Sequence, residues 1–231
     1  DSVIITVTAA VVANAGIDDT ICTGDSTILS ATATGGFAFF TFSWNADTTL
    51  SDTTIPNPTA TPSADTNYIV TITDTVTGCS DIDTVSVLVV PLPLPDAGFI
   101  DTICEGDSAL LNASLSLCTG ACSYSWSPGS SLSDSIIVNP FAFPIVTTSY
   151  ILTVTDNATG CSSSDGVTVV VNPSPVVNLG PDITGCIGDT DTLNAGNPGF
   201  IFSWNTFEIT QTLVVSTAGT YWVDVSNLIG C

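Results

Sequence analysis

Eight cysteines are the residues of this chain whose type and spacing could do chemistry, and six of them stand at recurring positions. In a Thr- and Val-rich chain, such usage indicates disulfides formed in an oxidising, extracellular setting. Each early cysteine is followed by x-Gly-Asp, where x is any residue, and each late cysteine follows a glycine. The early cysteines are Cys22, Cys104 and Cys186, and the late cysteines are Cys79, Cys161 and Cys231. We predict the pairs Cys22–Cys79, Cys104–Cys161 and Cys186–Cys231, each joining an early strand of one domain to a late strand of the same domain.

The other two cysteines, Cys118 and Cys122, are predicted to pair locally and to pin an inserted loop. A metal–thiolate site is the weaker alternative, because Cys118-x-x-x-Cys122 lacks a second ligand pair and the chain contains no histidine. In the chain-entropy model, each of the three predicted disulfides between an early and a late cysteine would stabilise its domain by roughly 4 kcal/mol.

Aspartates supply the second set of candidate ligands. Oxygen-only clusters suit Ca²⁺, so a calcium site at the joint between domains is one hypothesis, although no EF-hand spacing is present. The alternative is that these residues serve turns and solubility. The six candidates are Asp18, Asp19, Asp81, Asp83, Asp96 and Asp101.

Catalysis is disfavoured by composition. The 231 residues include 22 acidic ones and no Lys, Arg or His, for a formal charge of −22. A Ser-His-Asp triad and a cationic phosphate clamp therefore cannot be built, and nothing positions a pair of carboxylates in a cleft. The sign of the charge also excludes the basic footprint of a nucleic-acid-binding protein, and no apolar run is long enough to cross a bilayer. We expect a non-enzymatic protein that requires no cofactor except, under the hypothesis above, calcium.

An internal repeat positions these residues. The segment 101–113 reads Asp-Thr-Ile-Cys-Glu-Gly-Asp-Ser-Ala-Leu-Leu-Asn-Ala and has counterparts at 19–31 and 182–195. Successive early cysteines are 82 residues apart. Self-similarity at a fixed period indicates an array of similar domains. Residues 14–93 are repeat 1, residues 94–175 are repeat 2, and residues 176–231 are a shorter repeat 3.

Short alternating segments rich in β-branched residues, separated by turn residues and without a 3.6-residue period, predict an all-β chain of three antiparallel β-sandwiches in tandem. One tryptophan and one tyrosine of each repeat are predicted to fill its core: Trp44, Trp126 and Trp204, with Tyr68, Tyr150 and Tyr221. A tryptophan between paired cysteines resembles the immunoglobulin arrangement, so we expect Ig-like domains, each with an intradomain disulfide.

The two ends of the chain are out of register with its domains. Residues 1–12 align at the 82-residue offset with the last strand of repeat 1, so residues 1–13 are predicted to complete a preceding domain. Repeat 3 ends at Cys231, where the other repeats continue into that strand. We therefore expect Val3, Ile5 and Val7 to form an assembly strand that completes repeat 3 of a neighbouring unit, head to tail.

Repeat 2 contains further characteristic residues besides its recurring cysteines and the Gly-Asp turn. They include Tyr124-Ser-Trp126-Ser-Pro128, Leu132-Ser-Asp134, Asn139-Pro140, Thr153-Val-Thr-Asp156 and Gly160-Cys161. With these residues the chain resembles the PKD/Ig-like repeats of giant surface adhesins of the gliding-motility type and of other type IX secretion substrates. The resemblance implies surface display, a filament or stalk, and adhesion or gliding motility, with neighbouring repeats, identical subunits or a surface glycan as partners. An array of glycan- or protein-binding accessory modules on a secreted enzyme is the alternative.

Overall fold

A computed structural model describes residues 1–4, 7, 9–37, 39–45, 48–118 and 120–231. These residues form strands, turns and irregular segments, without a helix in the described part. The predicted all-β fold class is confirmed. Contacts divide the chain into two compact units. Unit 1 contains residues 1–95, 115–123 and 153–164, and unit 2 contains residues 96–114, 124–152 and 165–231. The predicted repeat boundaries remain predictions.

Repeat 1, within unit 1, is built with eight described strands whose β-branched residues alternate between the core and the surface. The first strand begins at Val12, so Val12 and Ala13, which were predicted to complete a preceding domain, pair with β4 of repeat 1 instead. Its principal sheet has four strands in the order β2-β8-β7-β5, and the pairs β1-β4 and β3-β6 are antiparallel. The strands are β1 (Val12–Asn14), β2 (Asp19–Cys22), β3 (Thr27–Ile28), β4 (Thr32–Thr34), β5 (Phe40–Trp44), β6 (Thr59–Ala60), β7 (Thr66–Asp74) and β8 (Ser80–Val90).

The edge pairing of β2 decides where its cysteine lies. β2 runs parallel to β8, with Asp19 opposite Val87 and Cys22 opposite Val90, whereas β8 and β7 form an antiparallel hairpin. A first strand that pairs in parallel with the last strand, beside a hairpin and a tryptophan-bearing strand, is an immunoglobulin-like arrangement. Cys22 therefore lies at the end of β8 from which the chain proceeds to repeat 2.

Repeat 2 has the same arrangement. Its four-stranded sheet has the order β10-β16-β15-β13, and the additional pairs are β9-β12 and β11-β14. β10 runs parallel to β16, with Cys104 opposite Asn172. The strands are β9 (Leu94–Asp96), β10 (Asp101–Cys104), β11 (Ala109–Leu110), β12 (Ser114–Ser116), β13 (Cys122–Ser127), β14 (Phe141–Ala142), β15 (Thr148–Asp156) and β16 (Ser162–Asn172).

Repeat 3, within unit 2, is smaller. Its described strands form two antiparallel pairs, β17-β19 and β18-β20. The segment 181–190, which contains the counterpart of β2 and β10, is exposed and is not a strand. The strands are β17 (Asp191–Asn194), β18 (Ile201–Trp204), β19 (Thr212–Val215) and β20 (Val223–Ser226).

The three predicted core tryptophans occupy equivalent buried positions, whereas Trp222 is exposed. Each indole N–H donates to a backbone carbonyl: Trp44 to Ile55, Trp126 to Ile137 and Trp204 to Thr210. Tyr68 and Tyr150 are fully buried, with their hydroxyls 2.7 Å from Thr49 Oγ1 and 2.6 Å from Ser131 Oγ. Tyr221 is half-buried and is hydrogen-bonded to Thr217. The core of repeat 3 is thus less closed than the other two.

Replacing Tyr68 by Phe should destabilise repeat 1 by about 1 kcal/mol, because it keeps the buried ring and removes one hydrogen-bonding partner of Thr49. Thermal unfolding followed by tryptophan fluorescence measures the change. Tyr221→Phe is the matched control: its hydroxyl is accessible to water, so the loss should be smaller. Equal losses for the two variants would contradict the assignment of Tyr68 as a desolvated hydrogen-bonding core residue.

Candidate assembly sites: the cysteine turns and an open sheet edge

The recurring cysteines that form disulfides pair across repeats, not within them. Cys22 bonds Cys161 in unit 1, with their Cα atoms 5.6 Å apart, and Cys104 bonds Cys231 in unit 2, with their Cα atoms 5.5 Å apart. The predicted pairs Cys22–Cys79, Cys104–Cys161 and Cys186–Cys231 are therefore wrong. The local pair of Cys118 with Cys122 is present, with a Cα–Cα distance of 6.5 Å.

Strand length explains why the intradomain pairs do not form. Cys22 lies opposite Val90, the last residue of β8, whereas Cys79 immediately precedes Ser80, its first residue. At about 3.3 Å per residue, the two ends of this strand are roughly 30 Å apart, whereas the Cα atoms of a disulfide are at most about 7 Å apart. The same separation holds in repeat 2, where Cys104 lies opposite Asn172 and Cys161 precedes Ser162.

All three early cysteines lie on the same type of turn. The carbonyl of Cys22 accepts a hydrogen bond from the N–H of Asp25 at 3.0 Å, and the intervening Gly24 has a φ of 94°. The counterparts are Asp107 N to Cys104 O at 3.0 Å and Asp189 N to Cys186 O at 3.1 Å, with φ of 93° at Gly106 and 97° at Gly188. Glycine supplies this left-handed position without steric cost.

All three late cysteines close the same kind of hairpin loop. In repeat 1, Asp74 N donates to Cys79 O at 2.9 Å and Gly78 N donates to Asp74 O at 2.8 Å. In repeat 2 the corresponding bonds are Asp156 N to Cys161 O and Gly160 N to Asp156 O, at 2.9 and 2.8 Å. In repeat 3 they are Asn227 N to Cys231 O and Gly230 N to Asn227 O, at 2.7 and 3.1 Å.

A buried carboxylate organises the late loop of repeat 1. Asp74 Oδ2 accepts a hydrogen bond from Phe37 N at 2.6 Å, and Oδ1 accepts from Val76 N at 2.8 Å and Thr77 N at 3.4 Å. Burial raises the pKa of Asp74, but hydrogen bonds from these backbone groups and from the Thr77 side chain lower it by more. The pKa therefore lies below the ordinary value of 3.8. The counterpart Asp156 is also buried and accepts from Ala158 N at 2.8 Å.

Two cysteines within the described residues have no disulfide partner in the chain. They are Cys79, the late cysteine of repeat 1, and Cys186, the early cysteine of repeat 3, and both are exposed. Each has the same local backbone hydrogen bonds as the disulfide-bonded members of its class. The offset between repeats leaves these two unpaired, because Cys22 bonds Cys161 instead of Cys79, and Cys231 bonds Cys104 instead of Cys186.

Repeat 3 leaves one edge of a sheet unpaired in the described part of the chain. Trp44 lies opposite Val70 in repeat 1, and Trp204 lies opposite Val223 in repeat 3, so β20 is the counterpart of β7. β7 has β5 on one side and β8 on the other, whereas β20 pairs with β18 alone. As a result, Val223 and Val225 are half-buried, while their counterparts Val70 and Ile72 are fully buried.

The amino-terminal segment has apolar side chains that are exposed to solvent. The side chains of Val3 and Val7 are 85% and 88% exposed, and the described residues between 1 and 11 form no strand. Val3 aligns with Val85, which is 2% exposed in β8. The third predicted assembly residue, Ile5, lies outside the described residues; its counterpart Val87 is also buried.

The six aspartates predicted as calcium ligands accept hydrogen bonds within the chain. Oδ2 of Asp81 and of Asp83 accept from the N–H groups of Ala13 and Ala15, both at 2.8 Å. Hydrogen bonds from Ala13 and Ile82 lower the pKa of Asp81, against a smaller opposing effect of desolvation. The remaining four accept as follows: Asp18 from Ser86 N, Asp19 from Thr20 N and Thr27 Oγ1, Asp96 from Gly98 N, and Asp101 from Thr102 N.

Among the described residues, no three Asp, Glu or Cys side chains are grouped as a metal site. Calcium binding stays a prediction from the sequence. A groove of about 500 Å³ lies beside the Cys104–Cys231 disulfide, and Asp107 is the one titratable side chain among its described lining residues. No helix in the described part of the chain is long and apolar enough to cross a membrane.

Comparisons with known proteins return immunoglobulin-domain tandems. A fragment of titin with three immunoglobulin domains is 12% identical, with 95% of this chain and 86% of that chain covered and a TM-score of 0.45. Extracellular domains 3–5 of Drosophila OTK are 11% identical, with 96% and 93% covered and a TM-score of 0.39. The eight N-terminal immunoglobulin domains of Down Syndrome Cell Adhesion Molecule are 13% identical, with 96% and 42% covered and a TM-score of 0.42. No family model and no curated protein matches the sequence.

A protease that cleaves on the N-terminal side of aspartate should identify the disulfide pairing. Trypsin is unsuitable, because the chain contains no Lys or Arg. Complete cleavage leaves Cys22, Cys79 and Cys161 on separate peptides, 19–24, 74–80 and 156–164. Mass spectrometry without reduction should find peptide 19–24 joined to 156–164. Recovery of 19–24 joined to 74–80 would contradict the inter-repeat pairing, and a reduced digest is the control.

Asp74→Asn should lower the melting temperature at pH 7, because an amide NH₂ cannot accept the hydrogen bonds that both carboxylate oxygens accept. The native carboxylate has a pKa below its ordinary 3.8, so its stabilising effect is present above that pH and is lost as the pH falls through the native value. The variant should therefore show a flatter dependence of melting temperature on pH below about 4. The exposed Asp25→Asn is the control, and an unchanged acid profile for Asp74→Asn would refute this role.

Proposed function

We propose that the chain is a structural, non-enzymatic repeat unit of an extracellular filament or cell-surface adhesin stalk. Units join head to tail when the exposed segment that contains Val3 and Val7 completes the sheet of repeat 3 in the preceding unit, while Val12 stays paired with β4 of its own repeat 1. The observation that carries this proposal is a match between two deficiencies: an unpaired edge at β20 and an exposed apolar segment aligned with the strand that covers this edge elsewhere.

The acceptor edge is chemically suited to a strand. In the described part of the chain, β20 has the unpaired N–H and C=O groups of an edge strand, and its Val223 and Val225 are only half-buried. In repeat 1 that position is held by β8, which hydrogen-bonds to β7 on one side and to β2 on the other. A strand added at β20 would give the exposed segment 182–186 the same parallel partner that holds β2.

The donor segment has the side-chain pattern that this position requires. Val3 and Val7 lie on the same face of an extended segment, since side chains alternate at each residue. Burying one valine contributes roughly 1.5–3 kcal/mol, and the main-chain ladder adds hydrogen bonds that water otherwise satisfies. An exposed apolar segment and an open edge would otherwise promote unregulated aggregation, which their mutual occupation would prevent.

Further support for the function class comes from composition and from resemblance. Without Lys, Arg or His, the chain has none of the bases and cationic clamps that most hydrolytic sites use. Disulfides that join successive repeats suit an oxidising, extracellular environment and resist extension along the array. The resemblance to PKD/Ig-like repeats of type IX-secreted adhesins adds cell adhesion and gliding motility to the proposal.

The double variant Val3→Asp/Val7→Asp should abolish filament formation and leave the melting temperature unchanged, because both side chains are exposed in the free chain. Electron microscopy and light scattering of the purified full chain measure assembly. Ile4→Asp is the matched control: Ile4 is equally exposed but aligns with Ser86 on the opposite face, so this variant should still assemble.

A synthetic peptide of residues 1–12 should also cap growing filaments by occupying the acceptor edge. Filaments of normal length from the double variant, or a wild-type chain that stays monomeric at all concentrations, would overturn the proposal. Specific retention of a glycan by the monomeric chain on an array would instead favour the accessory-module alternative.

A further inference from the structure

We infer that Cys186 of one copy forms a disulfide with Cys79 of the next copy, so that assembled units are covalently locked. This inference rests on the proposed head-to-tail assembly and names the residues that seal it. The disulfide-bonding partner of each exposed thiol is thus a cysteine of a second copy of this chain.

The two disulfides within the chain establish a rule. Cys22 is the early cysteine of repeat 1 and bonds the late cysteine of repeat 2; Cys104 is the early cysteine of repeat 2 and bonds the late cysteine of repeat 3. Each of these two disulfides therefore joins the early cysteine of one repeat to the late cysteine of the next repeat. By this rule the early cysteine of repeat 3, Cys186, requires the late cysteine of whichever repeat follows it.

Head-to-tail assembly supplies that repeat. When the segment of the next copy that contains Val3 and Val7 completes repeat 3, the next folded domain along the array is repeat 1 of that copy. Its late cysteine is Cys79. The same step gives Cys79 of every copy the early cysteine of the repeat before it, which is Cys186. In such an array each of the six recurring cysteines has a partner.

Local geometry prepares both cysteines for this bond. Cys186 lies on the same Gly-Asp turn as Cys22 and Cys104, with the Asp189 N to Cys186 O hydrogen bond and a positive φ at Gly188. Asp189 Oδ2 also accepts a hydrogen bond from Cys186 N at 2.8 Å, which closes the turn from its other side. The backbone around Cys186 is thus formed before a partner arrives.

Cys79 matches the disulfide-bonded Cys161 in detail. Both N–H groups donate to the hydroxyl of a threonine two residues earlier, Cys79 to Thr77 at 3.2 Å and Cys161 to Thr159 at 3.3 Å. Both loops also carry the Asp-to-cysteine and glycine-to-Asp backbone hydrogen bonds described above. What distinguishes Cys79 is exposure: Cys161 is buried against its disulfide partner, and Cys79 is open to solvent.

The bond requires an oxidant, which we take to be a small-molecule disulfide. The thiolate of one cysteine attacks the small disulfide and forms a mixed disulfide, releasing one small thiolate. The thiolate of the partner cysteine then attacks the protein sulfur of the mixed disulfide and releases the second small thiolate. The two cysteines together lose two electrons and two protons, and one small disulfide is reduced to two thiols.

A chain-crossing experiment tests the inference. The wild-type full chain, incubated with oxidised glutathione and quenched by alkylation, should give a ladder of oligomers on a non-reducing denaturing gel that collapses on reduction. Cys79→Ser and Cys186→Ser should each remain without a ladder. An equimolar mixture of the two variants should stop at a dimer, because one copy offers Cys186 and the other offers Cys79.

Digestion before aspartate locates the bond, since Cys186 lies on peptide 182–188 and Cys79 on peptide 74–80. The dimer from the mixture should contain these two peptides joined, with one of the variants labelled with ¹⁵N so that the two copies are distinguished. Symmetric dimers from either variant alone, at the yield of the mixture, would overturn the inference.

Electron microscopy of the same samples separates this inference from the function beneath it. Filaments without the ladder would refute the disulfide and leave strand completion intact. Loss of both filaments and ladder in the Val3→Asp/Val7→Asp variant, which retains both thiols, would show that strand completion brings the cysteines together. A ladder of unchanged yield in that variant would refute the dependence.

Discussion

The parallel pairing of the first principal strand with the far end of the last strand is the interaction on which the rest of this structure depends. Because β2 lies beside the last residues of β8, the early cysteine is placed at one end of the sheet and the late cysteine at the other. No disulfide can span a strand of that length. The cysteines are consequently used between repeats, and a motif that stabilises single domains in other immunoglobulin-like proteins becomes a device that joins domains.

In this chain, which has no cationic side chains, several aspartate carboxylates accept hydrogen bonds from backbone N–H groups and so stabilise the fold. Asp83 and its counterpart Asp165 accept hydrogen bonds from the N–H groups of Ala15 and Ala97, which lie 68 residues earlier in each case. Asp74 holds three backbone N–H groups around the loop that presents Cys79. Hydrogen bonds to an ionised acceptor are stronger than neutral ones, so these carboxylates stabilise loops without a salt bridge. A negative charge of 22 is therefore compatible with a folded chain.

The open edge of repeat 3 and the exposed amino-terminal segment are best understood together. Exposed strand edges are a liability in soluble proteins unless they are covered, charged or occupied. Here β20 pairs with β18 alone in the described part of the chain, and the side chains of Val3 and Val7 are exposed. Cys79 and Cys186, the two cysteines that the proposed assembly would bring together, are both exposed and have no disulfide partner in the chain.

The sequence by itself determined the fold class, the three-fold repetition, the buried tryptophans and the division of cysteines into early and late classes. These follow from local alternation, turn residues and the 82-residue period, all of which are legible without knowing which strands meet. The alignment of Val3 with Val85 likewise predicts an assembly segment, and the side chain of Val3 is exposed in the structure.

Only the tertiary structure decided which cysteines meet. Cys22 and Cys79 belong to the same repeat and suit a familiar domain disulfide, yet the direction and length of β8 separate them. Strand direction and register arise from contacts between residues far apart in the chain, which no local pattern encodes. For the same reason, the sequence alone does not show that Asp18, Asp81 and Asp83 accept hydrogen bonds from backbone N–H groups 68 residues away, which only folding brings near.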